Sequence, residues 1–239
     1  MKFLDKLKLF YQKYNKHILD AKQNMTEKEF NTFYHFKLGR LVNDDIIKIF
    51  DYEGFPKIVS KKDYSKLNSV ERFHGFKKFE FGYQFLTKQD FRKRDKTGFS
   101  NGFYSTQSFD YTKLYTNVNN EFDENRVLKF KLVDDENGVD IKTYDAIIEG
   151  DFSLLNESAK IKMPEIVDFL SSIQNDENCD EFIMWLYIPT SLLVILGYDY
   201  FMSEMPFRID EYNEETIILN RGSISVCEDE FEKFKVQCL

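Results

Sequence analysis

Apolar residues recur at a helical period over the first 50 residues of the chain, with lysines between them. The recurring positions near the start are Phe3, Leu4, Leu7, Leu9, Phe10 and Tyr14. Such spacing is typical of amphipathic helices. Thr26 and Glu29 then show a capping-box pattern, a hydroxyl followed three residues later by an acid. The pattern predicts helices up to about residue 50, the second beginning after Thr26.

The hydrophobic pattern changes after Gly54-Phe-Pro56, where short aromatic and β-branched runs indicate strands. Residues 127–133 alternate apolar and polar side chains, as a half-buried strand does, with Leu128, Phe130 and Leu132 on the apolar face. The predicted strands are residues 69–74, 102–106, 127–133, 144–148, 196–201, 216–220 and 223–226. The first of them runs into a turn at Gly75.

Three further segments have helical patterns in this second part of the chain. Residues 108–115 predict a helix that is capped by Ser108 and carries Tyr111 and Tyr115 on one face. Residues 164–170 predict a helix with Pro164 near its start. Residues 181–196 predict a buried helix, or a helix pair broken at Pro189.

The order of these elements predicts an α+β fold. The sequence shows neither an internal repeat nor a low-complexity linker. We therefore expect a compact domain over residues 66–239 and an N-terminal helical segment over residues 1–65.

Composition and charge limit the classes of partner. The chain has 239 residues, 42% of them hydrophobic, and a formal net charge of −8. That charge argues against a protein whose whole surface binds nucleic acid, because phosphate contacts need concentrated Lys and Arg. Residues 77–96 are the exception, since seven basic and three acidic residues leave a local charge of +4. This segment is either a nucleic-acid contact or a solvated loop.

The expected setting is the cytoplasm. The three cysteines, Cys179, Cys227 and Cys238, have no metal-ligand spacing, and their odd number argues against a disulfide framework. The first ten residues are too charged for the core of a signal peptide. The longest apolar run, residues 182–198, is interrupted by Pro189-Thr-Ser and is short for a membrane span. No contact with a membrane is therefore expected.

Several common kinds of site are missing from the sequence. There is no GxxxxGK[ST] phosphate loop, no GxGxxG, no HExxH and no GxSxG. The chain has three histidines, which excludes a His-rich metal site, and we expect no metal. His17 and His35 have no partner of metal-ligand spacing, so ordinary surface or boundary positions are expected for both.

The remaining candidates are a histidine, two tyrosines and a glutamate. His74-Gly75 ends a predicted strand, and Gly102-Phe-Tyr104-Ser105-Thr106 forms the next one. Glycines let backbone groups approach a ligand closely, while Tyr104 and Tyr115 offer flat faces for an aromatic ring. Glu215 opens an apolar strand. Such a set suits a nucleoside-like substrate whose reaction develops positive charge.

These residues resemble the His-Tyr-Glu class of ADP-ribosyltransferases, the diphtheria-toxin-like class in its bacterial or phage form. The central motif is matched by Gly102-Phe-Tyr-Ser-Thr106, and the His-Gly of the first core strand by His74-Gly75. Tyr115 lies eleven positions after Tyr104, as the second tyrosine of the class does. Glu215 opens a strand as the catalytic glutamate does. The resemblance covers residues 70–226.

The resemblance implies a split mixed or antiparallel β-sheet with flanking helices, and NAD+ as the substrate. By this likeness His74 would hold the adenosine ribose and the Gly75 backbone would clamp the nicotinamide carboxamide. Tyr104 and Tyr115 would sandwich the nicotinamide ring, with Ser105 and Thr106 as further hydrogen-bonding candidates. Glu215 would bind the nicotinamide ribose and help to activate the acceptor, as a carboxylate near an oxocarbenium-like centre should.

Two alternatives remain at the residue level. Glu214 competes with Glu215 for the catalytic role, although strand alternation places Glu215 on the face of Ile217 and Leu219. Arg72 would take the place of His74 in the arginine-type subclass if the register slipped. Asn213-Glu-Glu215 lacks the first acid of that subclass's Glu-x-Glu, so His74 is preferred.

The resemblance implies transfer of one ADP-ribose from NAD+ to a protein or nucleic acid. A toxin of a toxin–antitoxin or phage-defence system, with an antitoxin as partner, would fit a protein of this kind. So would an effector that acts in the cytoplasm of a target cell. The alternatives are an NAD+ glycohydrolase and an inactive module that binds NAD+ or ADP-ribose.

Overall fold

A computed structural model describes residues 1–52, 54–87, 103–112, 123–134, 136–205 and 213–238. These residues have an α+β architecture, which confirms the predicted class. The helices are α1 Phe3–Asn24, α2 Glu27–Phe36, α3 Leu38–Ile49, α4 Lys61–Lys66, α5 Phe79–Thr87, α6 Ile141–Ile148, α7 Glu157–Ile173, α8 Cys179–Leu186, α9 Pro189–Leu196 and α10 Glu228–Val236. The strands are β1 Lys57–Val59, β2 Arg72–Gly75, β3 Phe103–Thr106, β4 Val127–Leu132, β5 Gly138–Asp140, β6 Tyr200–Met205, β7 Asn213–Ile218 and β8 Ile224–Cys227.

The chain forms two compact units, each assembled from segments that are far apart in sequence. The helical unit contains residues 1–52 and 139–198, and the sheet unit contains the described residues of 53–91, 102–138 and 199–239. This grouping differs from the expected division at residue 65, because residues 139–198 cluster with the N-terminal helices. A pattern read along the chain does not show such interleaving.

The predicted N-terminal helices are confirmed. The buried residues of α1 follow a helical period: Leu7, Phe10, Tyr11, Tyr14, Ile18 and Ala21. The capping box before α2 is also present, since the Thr26 amide donates to the Glu29 carboxylate at 2.9 Å. The Glu29 amide in turn approaches the Thr26 hydroxyl at 3.4 Å. Local capping chemistry therefore sets the start of α2.

The strand predicted at residues 144–148 is wrong, because these residues lie in α6. The Asp140 carboxylate accepts a hydrogen bond from the Thr143 amide at 2.8 Å and so caps the helix. Tyr144 and Ile147 are both buried, and their spacing of three places them on one face of a helix, whereas in a strand they would point to opposite faces. The spacing of the buried residues therefore matches the helix and not the predicted strand.

Two further boundaries differ from the prediction. Pro164 lies inside α7, not near its start, because Asn156 caps the helix by accepting from the Ala159 amide at 2.9 Å. The strand predicted from residue 196 begins only at Tyr200. Leu196 instead ends α9, and Gly197 follows with a φ of 103°, a left-handed conformation that glycine adopts readily.

The predicted helix pair at residues 181–196 is confirmed as α8 and α9, with Pro189 at the first turn of α9. None of the described helices is alone long and apolar enough to cross a membrane. By length and composition, only the bent pair α8–α9, with 78° between its helices, meets that test.

The eight described strands form a mixed sheet in the order β1-β8-β4-β2-β3-β7-β6-β5. The pairing of β1 with β8 is parallel. The pairings β8-β4, β4-β2, β2-β3, β3-β7 and β7-β6 are antiparallel. The centre of the sheet therefore holds β2, β3 and β7 as neighbours, although β7 follows β3 by more than a hundred residues.

The alternation predicted for β4 is confirmed for Leu128, Phe130 and Leu132, which are at most 1% exposed. Val127 was placed on the polar face, yet it is buried as well. The three residues of the apolar face join an aromatic-rich core of the sheet unit that includes Phe85, Phe103 and other rings. This core lies under the central strands and holds them in place.

Helix α5 packs against α10 so closely that Gly82 leaves no room for a side chain. A Cβ at this position would lie 2.2 Å from the ring of Phe234, which is fully buried. We expect Gly82→Ala to lower the free energy of unfolding by about 2 kcal/mol, since overpacking outweighs the helix propensity of alanine. Urea unfolding of Gly82→Ala, Phe234→Leu and the double variant measures this effect. If the loss of unfolding free energy in the double variant equalled the sum of the losses in the two single variants, a direct clash would be contradicted.

Candidate functional site

The sheet order brings the three predicted site residues onto adjacent strands. His74 is on β2, Tyr104 on β3 and Glu215 on β7, in the order β2-β3-β7. Neighbouring strands lie about 4.8 Å apart, so two steps separate β2 from β7 by roughly 10 Å. Residues remote in sequence therefore meet at the centre of the sheet.

The strand register defines one face of this site. Phe73 pairs with Thr106, and Thr106 pairs with Glu215. Tyr104 pairs with Ile217, two residues beyond Glu215. Directly paired residues and residues two apart share a face of a sheet. Phe73, Tyr104, Thr106 and Glu215 therefore project from the same side, whereas His74, which follows Phe73, projects from the other side.

The described residues at this position enclose a cleft of about 90 Å³. It is lined by Phe73, His74, Gly75, Tyr104, Ser105, Thr106, Thr112 and Glu215. Six of these are the predicted residues His74, Gly75, Tyr104, Ser105, Thr106 and Glu215. Tyr115 and Gly102 lie outside the described residues, so the stacking partner expected for Tyr104 stays a prediction.

Glu215 is 4% exposed, although its side chain is that of an acid. Removing a carboxylate from water costs free energy, and such residues occur more often at functional sites than elsewhere. Because Glu215 also lines the cleft, a ligand in the cleft would meet this carboxylate. The face chosen for Glu215 from strand alternation is therefore the cleft face.

His74 is packed among aromatic rings. Its ring centroid lies 4.5 Å from that of Phe76 and 5.3 Å from that of Phe103. Burial lowers the pKa of His74 to about 4, although the hydrogen bond between Nδ1 and the Tyr104 carbonyl opposes the shift. The ring is therefore neutral at pH 7. Since Nδ1 donates to that carbonyl, the proton is on Nδ1 and Nε2 is left as an acceptor.

This burial predicts a loss of stability in mild acid. The unfolded chain binds a proton at His74 below pH 6.5, whereas the folded chain binds it only near pH 4. Stability from His74 is therefore present above pH 6.5 and falls as the pH decreases towards 4, by at most about 3 kcal/mol. We expect the free energy of unfolding of His74→Gln to depend less on pH over this range. Equal slopes for the two proteins in urea titrations would contradict the assignment.

The aromatic and hydroxyl groups of β3 have different surroundings. Tyr104 is 37% exposed and so presents its ring to a ligand. The Ser105 hydroxyl donates to the Thr216 carbonyl at 3.0 Å. The Thr106 hydroxyl accepts from the Ser108 amide at 3.0 Å. In this conformation both hydroxyls hold local structure.

Thr112 and Phe73 line the cleft but were not predicted as site residues. The helix predicted at residues 108–115 is described only as a 3₁₀ turn at Asp110–Thr112. The Thr112 hydroxyl donates to the Phe109 carbonyl at 2.5 Å, and the rings of Phe109 and Phe73 meet edge to face at 5.5 Å. A threonine in a predicted helix gave no signal for this role.

Arg72 is not among the described residues that line the cleft. It is 4% exposed, and its Nη1 donates to the Thr216 hydroxyl at 2.5 Å. His74 lines the cleft instead.

With the cleft defined, we compared the chain with known proteins. No family model, curated protein or solved structure matches it. Its function is therefore inferred from the cleft residues.

Three other features considered in the sequence are a metal site, the basic segment and His17. Among the described residues, no group of three His, Cys, Asp or Glu side chains is placed to hold a metal ion. Five of the seven basic residues in the segment 77–96 lie outside the described residues. His17 contacts Asp45 through Nε2 at 2.7 Å, and Lys13 contacts the same carboxylate at 2.8 Å. Burial would raise the pKa of Asp45, but these two contacts lower it below its usual value.

Proposed function

We propose that this protein is a mono-ADP-ribosyltransferase that cleaves NAD+ at the bond between nicotinamide and ribose. The observation that carries the proposal is the meeting of His74, Gly75, Tyr104 and Glu215 in one cleft, on three adjacent strands. The proposal includes an ADP-ribosyltransferase-like arrangement of the sheet. Its support is that the strands that carry His74-Gly75, Tyr104 and Glu215 are neighbours in the order β2-β3-β7.

Glu215 supplies the charge that this reaction needs. As the C–N glycosidic bond breaks, its electron pair passes to the nicotinamide nitrogen, and positive charge develops on the ribose. A carboxylate in a site of low dielectric stabilises that oxocarbenium-like state. A nucleophile of the acceptor then bonds to the anomeric carbon and loses its proton.

The other cleft residues position the substrate. Tyr104 stacks on the nicotinamide ring, and the Gly75 backbone approaches the carboxamide because no Cβ blocks it. His74 borders the cleft from the other side of β2 and is held as a neutral ring by its packing and by the Tyr104 carbonyl, so its Nε2 accepts a hydrogen bond from a hydroxyl of the adenosine ribose. Binding energy is thus directed to both the nicotinamide part and the adenosine part of NAD+.

The acceptor is a macromolecule, either a protein or a nucleic acid. A small transferase of this kind would act as a toxin of a toxin–antitoxin or phage-defence system, or as an effector. The helical unit, which has its own core, is the part available to an antitoxin or another protein partner.

Nicotinamide release from NAD+ by the purified protein tests the proposal. We expect release to be faster in the presence of cell extract, because the acceptor consumes the activated ADP-ribose. Release at one rate with and without extract, with free ADP-ribose as the product, would identify a glycohydrolase. No release under either condition would contradict NAD+ cleavage.

A further inference from the structure

A buried cation lies on the side of the sheet that faces away from Tyr104 and Glu215. Arg72, on β2, is 4% exposed and pairs in register with Phe130 of the core. Its guanidinium carbon is 5.8 Å from the centre of the Tyr200 ring. Burying a charge in such surroundings costs free energy that an apolar side chain of similar length would not. The position therefore indicates a role that needs a guanidinium.

The Arg72 side chain reaches across β3 to β7. Its Nη1 donates to the Thr216 hydroxyl at 2.5 Å, while the Ser105 hydroxyl of β3 donates to the Thr216 carbonyl at 3.0 Å. Thr216 is itself fully buried. Both its side chain and its carbonyl are therefore held, the first from β2 and the second from β3.

Thr216 directly follows Glu215, and successive side chains of a strand point to opposite faces. Fixing Thr216 on the core side consequently fixes the direction in which Glu215 enters the cleft. The arrangement links Arg72 to the orientation of Glu215.

We propose that Arg72 is a positioning residue, which acts through Thr216 to hold Glu215 in its catalytic orientation. The inference rests on the proposed function for the role of Glu215, but the contact on which it depends is independent of NAD+. Arg72 is not among the described residues that line the cleft, so it does not touch the substrate. Its removal should reduce turnover more than it reduces substrate binding.

Arg72→Met tests this role, with Arg221→Met as the matched control. Arg221 is equally buried, at 3% exposure, and donates to the Phe85 carbonyl at 2.7 Å. Both variants lose a buried cation of the sheet unit, but only Arg72 contacts Thr216. We expect Arg72→Met to lower kcat for nicotinamide release at least tenfold and to change KM for NAD+ less than threefold. Arg221→Met should leave both kcat and KM unchanged.

Conservative variants distinguish a positioning role of Arg72 from a general effect on the stability of the fold. Arg72→Lys retains a donor for the Thr216 hydroxyl and should recover part of the lost kcat. Thr216→Val removes only the hydroxyl that Arg72 contacts, so it should lower kcat in the same way, whereas Thr216→Ser should not. Equal losses in Arg72→Met and Arg221→Met, or full activity in Thr216→Val, would overturn the inference.

Hydrogen exchange at residues 215–217 tests the same contact without a substrate. Faster exchange there in Arg72→Met than in Arg221→Met supports the positioning role, and equal exchange overturns it. If the wild-type protein released no nicotinamide, the proposed function would fail. The exchange result would still decide whether Arg72 holds this strand.

Discussion

Glu215→Gln should reduce the rate of nicotinamide release from NAD+ at least 100-fold. The substitution keeps the size of the side chain but removes its negative charge, and loss of one preorganised charge-stabilising group costs roughly 100- to 1,000-fold in kcat. Because Glu215 is 4% exposed and lines the cleft, water cannot easily replace the carboxylate. Steady-state release of nicotinamide from both proteins at saturating NAD+ measures the effect.

The neighbouring acid provides the matched control for this experiment. Glu214→Gln makes the same chemical change one position earlier on β7, and we expect its rate to remain within a few-fold of the wild type. The affinity of Glu215→Gln for NAD+ should also change little, since the lost interaction belongs to the transition state. A large loss in Glu214→Gln together with normal turnover in Glu215→Gln would reverse the assignment of the two acids.

Tyr104→Ala should weaken the binding of NAD+ by roughly 10- to 100-fold, because loss of an aromatic stacking platform costs about 1–3 kcal/mol. Tyr104 suits this role because its ring is 37% exposed at the cleft, whereas most aromatic side chains of the central strands are buried in the core. Tyr104→Phe keeps the ring face and should bind NAD+ nearly as well as the wild type. Isothermal titration with NAD+ measures the three affinities.

Phe55→Ala serves as the control for general loss of an exposed aromatic side chain. Phe55 is 43% exposed, similar to Tyr104, but is not among the described residues of the cleft. Its substitution should leave the affinity for NAD+ unchanged. If Tyr104→Ala bound NAD+ as tightly as Phe55→Ala did, the stacking role of Tyr104 would be contradicted.

Local features of the fold could be predicted where one physical signal was dominant. The capping box at Thr26 defined the start of α2, and the alternation of Leu128, Phe130 and Leu132 defined β4. The strand predicted at residues 144–148 was wrong because five residues are too few to define a hydrophobic period, and the deciding group, the Asp140 cap, lies outside the segment. Signals contained within a segment were therefore more reliable than those that depended on its flanks.

The cleft shows which site residues could be predicted from the sequence and which could not. The motif residues His74, Tyr104 and Glu215 could be predicted from the sequence, and the sheet order places them on adjacent strands. Thr112 could not, because its place in the cleft depends on a 3₁₀ turn packed beside Phe73. Arg72 remained an alternative to His74 in the sequence, because strand register and the contact with Thr216 are not visible in a linear pattern. Contacts between distant strands decide such roles.

NAD+ labelled separately in the nicotinamide and in the adenylate tests the central claim most directly. The purified protein is incubated with both forms in cell extract, and the protein, RNA and DNA fractions are then separated. We predict that the nicotinamide label is released as the free base while the adenylate label joins one macromolecular fraction, and that Glu215→Gln does neither. Retention of both labels in intact NAD+, or equal transfer by Glu215→Gln, would contradict the account.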